Sequence, residues 1–326
     1  MIRSLFIRSP RLGTLNLLGP HAESAVAEDL KAFGALFGKP AAAEEGKVPA
    51  EWETTDVKLI EQLTHNLMTS TDWHYGLPRT LDNIHRIANV ARDRLSLEAW
   101  RTLNDFYASR RWHAETMPTA RGDSLRLLDD GLRVLAAFHG LTHENMTRNF
   151  GWSFLDMGRR LSRAHNMAEL LRGIFGKAAS GEDESGSLLF TLELADSFIT
   201  YRSRYRLEPM LPLLFDLLLT DESNPRSIAF QLVALSRHID TLPQSGEGGS
   251  RIEEQRMALS LLTSVRLADV ASLARTESDG ARPSLQKLLY GQTVALTALS
   301  DAIGRRYFNL VEKGVKWVRA RARDEP

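Results

Sequence analysis

The chain has 326 residues, 43% of them hydrophobic and 25% charged, an average globular composition that excludes wholesale disorder. Its 41 basic and 41 acidic residues cancel, so no generic electrostatic grip on nucleic acid or on an anionic membrane is expected. Cysteine is absent, which removes disulfides, thiolate nucleophiles and cysteine metal sites and fits a reducing, cytoplasmic compartment.

No apolar run approaches the ~20 residues needed to cross a bilayer, and the apolar stretch in MIRSLFIRSPRLG is too short for a signal peptide. Apolar clusters repeat at three and four residues, the helical period. In chain order this predicts helices over about 21–37 and 55–71, with a Gly/Pro/Ala/Glu linker at 38–50. Leu81, Ile84, Ala88, Ala91 and Leu95 form one stripe and place a helix over 79–94. Ser96 caps the next, which carries Trp100, Leu103 and Phe106. Further helices are expected near 123–145, 150–174, 187–206, 209–219, 225–241, 251–275 and 283–309. The Gly/Ser-rich breaks at 176–186 and 244–250 are expected to be mobile loops. The expectation is an all-α, bundle-like domain of about ten helices over 55–326, preceded by an N-terminal helix and linker at 1–54.

Four segments stand out chemically. In LELADSFITYRSRYRLEP a continuous helix aligns Leu188, Leu192, Ala195, Ile199 and Arg202, so Arg202 is expected to turn inward toward a carboxylate. Asp196, Thr200 and Ser203 form a polar edge beside that stripe, with Tyr205 in the same segment. This edge fits either an Arg–Asp lock between helices or a ligand. In LLLTDESNPRSIAFQL, Asn224 reads as an N-cap and Pro225 as the first helical residue. Asp221 and Glu222 then lie near the positive end of the helix, where Arg226 and Ser227 add donors suited to an anion.

In GWSFLDMGRRLSRAHNMAELLRGIFG, Phe154, Met157, Leu161, Ala164, Ala168 and Leu171 make the core face. Trp152, Leu155, Arg159, Arg163 and Asn166 lie opposite, with Asp156 at the margin, so that side is expected to meet a second helix layer. In DNIHRIANVARDR the face of Asn83, Arg86, Val90 and Arg94 reads as solvated. No HExxH, no Glu-x-x-His of the dimetal type, no phosphate-binding glycine loop and no GxSxG are present. His139 and His143, one turn apart beside Glu144, are a weak metal signal only. No metal site and no cofactor are expected.

Taken together, DNIHRIANVARDRLSLEAWRTLN, GWSFLDMGRRLSRAHN, ADSFITYRSRY, LLLTDESNPRSIAFQL and LSDAIGRRYF resemble the bacterial alpha-E domain family, in order and spacing from about Leu77 to Phe308. Two departures accompany the resemblance. Ser162-Arg163 stands where the family reads Glu-Arg in the middle helix. The family's first Glu-Arg helix would precede MIRSLF and is expected to be missing. The resemblance implies an association with a circularly permuted ATP-grasp protein, whose kind makes amide bonds, and no established activity of the helical domain itself.

Three functions remain open at this level. The first is a non-catalytic partner or a peptide- or carboxylate-binding module for the ligase. The second is an enzyme using Asp196, Asp221 or Glu222 on an amide. The third is a structural scaffold. Candidate binding residues are Trp152, Arg159, Arg163, Asp196, Thr200, Arg202, Tyr205, Asp221, Glu222, Asn224 and Arg226.

Overall fold

The three-and-four spacing of apolar residues is realised as helices throughout the computed structural model, which describes residues 65, 67–71, 76–109, 112, 121–178, 184–243 and 251–308. Helix α1 spans Leu77–Val90 and α2 Leu97–Ala108, with a 3-10 turn at Arg92–Arg94 between them. Then come α3 (Arg121–Asn145), α4 (Phe150–Phe175), α5 (Ser185–Leu194) and α6 (Phe198–Tyr205). Helix α7 (Leu211–Phe215) runs on as a π-helical turn, Asp216–Thr220. The remainder is α8 (Ile228–Asp240), α9 (Glu253–Arg266), α10 (Val270–Leu273) and α11 (Pro283–Tyr307). Extended pairing among the described residues is confined to one bridge, Lys177 with Ala281, so the fold is all-α. The expected helix at 21–37, the linker at 38–50 and the loop at 244–250 lie outside the described residues, as do 179–183 of the other expected loop.

Four helices form the frame. α4 packs against α8 and α11, α8 packs against α9, and α9 packs against α11, which closes a ring. Their buried faces meet in one apolar core that includes Met157, Ala164, Ala168 and Leu171 of α4, Leu232 and Leu235 of α8, Leu261 of α9 and Leu289, Leu296 and Leu299 of α11. α5 and the α7–π segment seal one side of it with Phe190, Leu192, Phe215 and Leu217 to Leu219, all buried. A second, smaller core gathers Leu81 of α1, Phe106 of α2 and Leu127 and Leu128 of α3 with Met68 and Trp112. Asn83, Arg86, Val90 and Arg94 are exposed, as the sequence predicts. Ser96 caps α2 by accepting the Ala99 N–H at 3.2 Å.

Three expected helices differ, each for a local reason. The single helix expected over 187–206 breaks after Leu194. Asp196 sits at φ 51°, Ser197 N–H bonds to the Leu192 carbonyl and Asp196 N–H to that of Glu193, which is a Schellman ending with aspartate where glycine is usual. Aspartate tolerates this left-handed conformation better than most residues do. The helix expected to start at Asn224-Pro225 begins at Ile228 instead, capped by Ser227, whose hydroxyl accepts the Phe230 N–H at 3.0 Å and itself donates to the Asp221 carbonyl. The helix expected over 251–275 stops at Arg266 and resumes at Val270 behind an Asp269 cap.

Because Ser227 is buried and serves both ends of its segment, Ser227→Ala is expected to lower stability by about 1–2 kcal/mol. The denaturant midpoint against wild type measures it.

Candidate functional site

The polar side of α4 is built by residues one turn apart. Asp156, only 4% exposed, accepts both Nε (3.0 Å) and Nη2 (3.2 Å) of Arg160, four residues on along the same helix. A third bond comes from α8, where His238 Nε2 lies 2.8 Å from Asp156. Arg160 then reaches Gln231 Oε1 at 3.2 Å, and the Gln231 amide donates to the Pro225 carbonyl. Trp152 closes this end, its ring edge-on to His238 at 5.1 Å and covered by the Arg148 guanidinium at 4.3 Å. Burial opposes the charge of Asp156, yet the bonds from His238 and Arg160 hold its carboxyl well below the usual carboxylate range.

A second set surrounds the π turn and the loop after it. The Tyr205 hydroxyl donates to Asp216, and Arg204 donates to Asp221 while lying 3.5 Å from Asp216. Burial and the neighbouring Asp216 carboxylate push the Tyr205 phenol far above its ordinary value, so it remains a donor. Burial alone would raise Asp221, but bonds from the Ser223 hydroxyl and N–H, with Arg204 beside it, hold its carboxyl down. Asn224 is buried, donating to the Leu217 carbonyl at 2.9 Å and accepting the Arg226 N–H at 3.1 Å. Glu222 forms a two-pronged pair with Arg266 of α9 at 2.6 and 3.0 Å, and that bond keeps its carboxyl below the ordinary glutamate range.

A third group is cationic. Arg159 donates to the buried Thr142 hydroxyl at 3.0 Å and lies 6.0 Å from the Phe138 ring centroid, both on α3. Arg163, one turn on, is exposed and has no ion pair among the described residues. Arg226 reaches across from the loop before α8 to Asp196 at 2.7 Å. Partial desolvation of the guanidinium group lowers Arg159 below the ordinary value, and also Arg163, although that residue as a whole is exposed. Asp156 opposes the shift in both, Arg160 adds to it in both, and Arg226 adds to it in Arg163. His139 of α3 is likewise lowered, first by burial and then by Arg159 and Arg163.

The sequence-derived candidates therefore divide. Trp152, Arg159 and Arg163 share the polar side of α4, and Asp196 with Arg226 forms an ion pair near it. Tyr205, Asp221 and Asn224 organise the π turn and its loop, and Glu222 binds α9. Two expectations are overturned. Arg202 is exposed, 5.8 Å from the Phe198 ring, and Ile199 is 83% exposed, because the Schellman break at Asp196 resets the helical phase on which their burial was inferred. Thr200 and Ser203 are exposed for the same reason. The anion-receiving helix start is also corrected: Ser227 caps the first turn itself, and Asp221, Glu222 and Arg226 are each held by a partner on another segment. Asp156, expected at the margin, is buried. His139 and His143 stand 6.2 Å apart between ring centroids, and no group of three metal-ligating side chains occurs among the described residues.

Sequence reasoning passed over Arg160, Gln231, His238 and Arg282. Asp156 and Arg160 at i,i+4 were the readable signal for the first. Gln231 and His238 carried none, since their role depends on α8 meeting α4. Arg282 is 3% exposed and bonds to the carbonyls of Ala274 (3.2 Å) and Phe175 (3.1 Å) and to Glu184 (2.6 Å).

Fold and site together define an all-helical protein in which Asp156, Asp196, Asp221 and Glu222 are held in ion pairs and whose fourth helix carries Arg159 and Arg163 without an ion pair among the described residues. This chain belongs to the Alpha-E family, described as a predicted alpha-helical domain with a conserved ER motif, whose model matches residues 14–308. It is similar to the uncharacterized protein Rv2567 of Mycobacterium tuberculosis (strain H37Rv) and to the uncharacterized protein Mb2597 of Mycobacterium bovis, at 25% identity over 279 residues in each case. That alignment covers 84% of this chain, and the chain spans about a third (31%) of the length of those relatives. No solved structure matches. No helix among the described residues is long and apolar enough to cross a membrane.

Proposed function

We propose that this chain is a non-catalytic binding module that receives a carboxylate-bearing ligand, such as a peptide, on the arginine face of α4 and works with an ATP-grasp amide ligase. One observation carries the reading. Among the described residues Arg159 and Arg163 stand one turn apart with no carboxylate paired to either, whereas Asp156, Asp196, Asp216, Asp221 and Glu222 are each held by a cation. Acids committed in this way are poorly placed to move substrate protons, which argues against the alternative of an enzyme acting on an amide or peptide. Unpaired guanidinium forks are suited to a carboxylate. Ser162 in place of the family's glutamate is consistent with this, because it leaves Arg163 without a neighbouring acid. The ligase partner follows from the family resemblance.

The reading is tested by isothermal titration of the chain with a short peptide bearing a free C-terminal carboxylate and with its amidated form, and by co-expression with an ATP-grasp ligase. The carboxylate peptide is expected to bind and the amidated one to bind far more weakly. Arg159→Gln/Arg163→Gln is expected to lose about 10–100-fold in affinity while keeping its unfolding midpoint. Equal affinity for both peptides, together with no complex and no change in ligase rate, overturns it.

A further inference from the structure

Positive charge exceeds negative charge on the polar side of α4 and the loop beside it. Arg159, Arg160, Arg163 and Arg226 bring four positive charges, and Asp156 and Asp196 bring two negative ones. Asp156 belongs to Arg160 and Asp196 to Arg226, which leaves Arg159 and Arg163 without an ion pair among the described residues. These two lie at i,i+4 on one helix face, where like charges about 6 Å apart at Cβ oppose each other. Neither can shed its proton. Arg159 is also fixed, because its Nη2 is bonded to the buried Thr142 hydroxyl and the Phe138 ring centroid lies 6.0 Å from its guanidinium carbon. On the loop side, the chain Asp156–Arg160–Gln231–Pro225 carbonyl ties α4 to the segment that carries Arg226. A single carboxylate would neutralise only one of the two unpaired cations. A group with two negative charges would neutralise both and relieve their mutual repulsion.

We infer that this side of α4 is a dianion site: Arg159 and Arg163 together take a ligand end carrying two negative charges, as a dicarboxylate or a phosphate monoester does. This rests on the binding reading above and narrows it from any carboxylate to a doubly charged end. Arg226, released from the exposed Asp196 (81% exposed side chain), is the third donor within the same loop–helix corner.

The test is titration of the full chain, followed by the amide and guanidinium NMR signals, with acetate, glutarate and inorganic phosphate at matched ionic strength. A monocarboxylate-tipped peptide and its C-terminal glutamate counterpart complete the series. Glutarate and the glutamate-ended peptide are expected to bind at least 10-fold more tightly than their monoanionic counterparts. The gap should collapse in Arg163→Gln, an exposed position whose change spares folding. Equal affinity for mono- and dianions overturns the dianion inference and leaves the carboxylate reading standing. Binding of phosphate with no binding of either carboxylate keeps the dianion site and overturns the carboxylate reading. No binding of any anion, or binding undiminished in both Arg159→Gln and Arg163→Gln, overturns both.

Discussion

Replacing Asp156 by alanine is expected to lower the free energy of unfolding by about 3–5 kcal/mol, the usual result of removing one partner from a buried ion pair. The loss is large because the carboxylate serves two helices at once. It takes both prongs of Arg160 on α4 and His238 from α8, and without it Arg160 would keep only Gln231 while half-buried. Arg160→Met beside it tests the mechanism: the double variant is expected to lose less than the sum of the singles, since the stranded charge is gone in the double. Denaturant unfolding of the four proteins supplies the cycle.

The same carboxylate gives the clamp a sign in pH. Its folded value is depressed below the unfolded aspartate value of about 3.9, so its contribution is complete above that value. It is lost progressively as pH falls below that value and through the depressed folded value. Wild-type stability minus that of Asp156→Asn is therefore expected to stay constant from neutral pH down to about pH 5 and to shrink in strong acid. A difference that changed across the neutral range would assign the linkage to another group.

The second large effect is expected at Arg282. Arg282→Ala should cost about 3–5 kcal/mol, because the guanidinium binds the carbonyl at the end of α4, that of Ala274 after α10, and Glu184 at the start of α5. Its backbone N–H also meets the Gly176 carbonyl, which the Gln286 side chain bonds as well. Arg282→Met retains the packing of the stem and separates that part from the loss of the hydrogen bonds. Hydrogen exchange is expected to rise first in α5 and in the last turn of α4. Exchange rising uniformly over the whole molecule instead would show that the residue has no local role.

Much of the fold was legible in the chain because each long helix carries its own apolar stripe. The core face of α4, from Phe154 through Leu171, and the solvated face of α1 follow from spacing alone. The breaks were not legible where an unusual residue takes the work of a common one. Asp196 ends α5 in a backbone conformation that sequence patterns assign to glycine, and the misplaced phase carried Ile199 and Arg202 with it. Ser227 displaced Asn224 as cap because Asn224 turns back to the Leu217 carbonyl at the π turn, a partner that exists only once that turn has formed. For the site, the arginines were recognisable as residues in need of anions, but which anions they meet depends on helix pairing. Asp196 with Arg226 and Asp156 with His238 are separated by 30 and 82 positions and are joined by tertiary packing, for which no local pattern exists.

The closed ring of α4, α8, α9 and α11 sets an order on how the molecule can be made. Synthesis runs from the N-terminus, so α4 emerges long before α11, whose Tyr307 and neighbouring Phe308 cover the Phe154 ring. Until then one wall of α4 has nothing to rest against, and the greasy flank must be shielded transiently or tolerate solvent. A ribosome stalled anywhere ahead of Pro283 would hold a half-built barrel of helices with that seam open, which is the form in which this chain is most prone to clump.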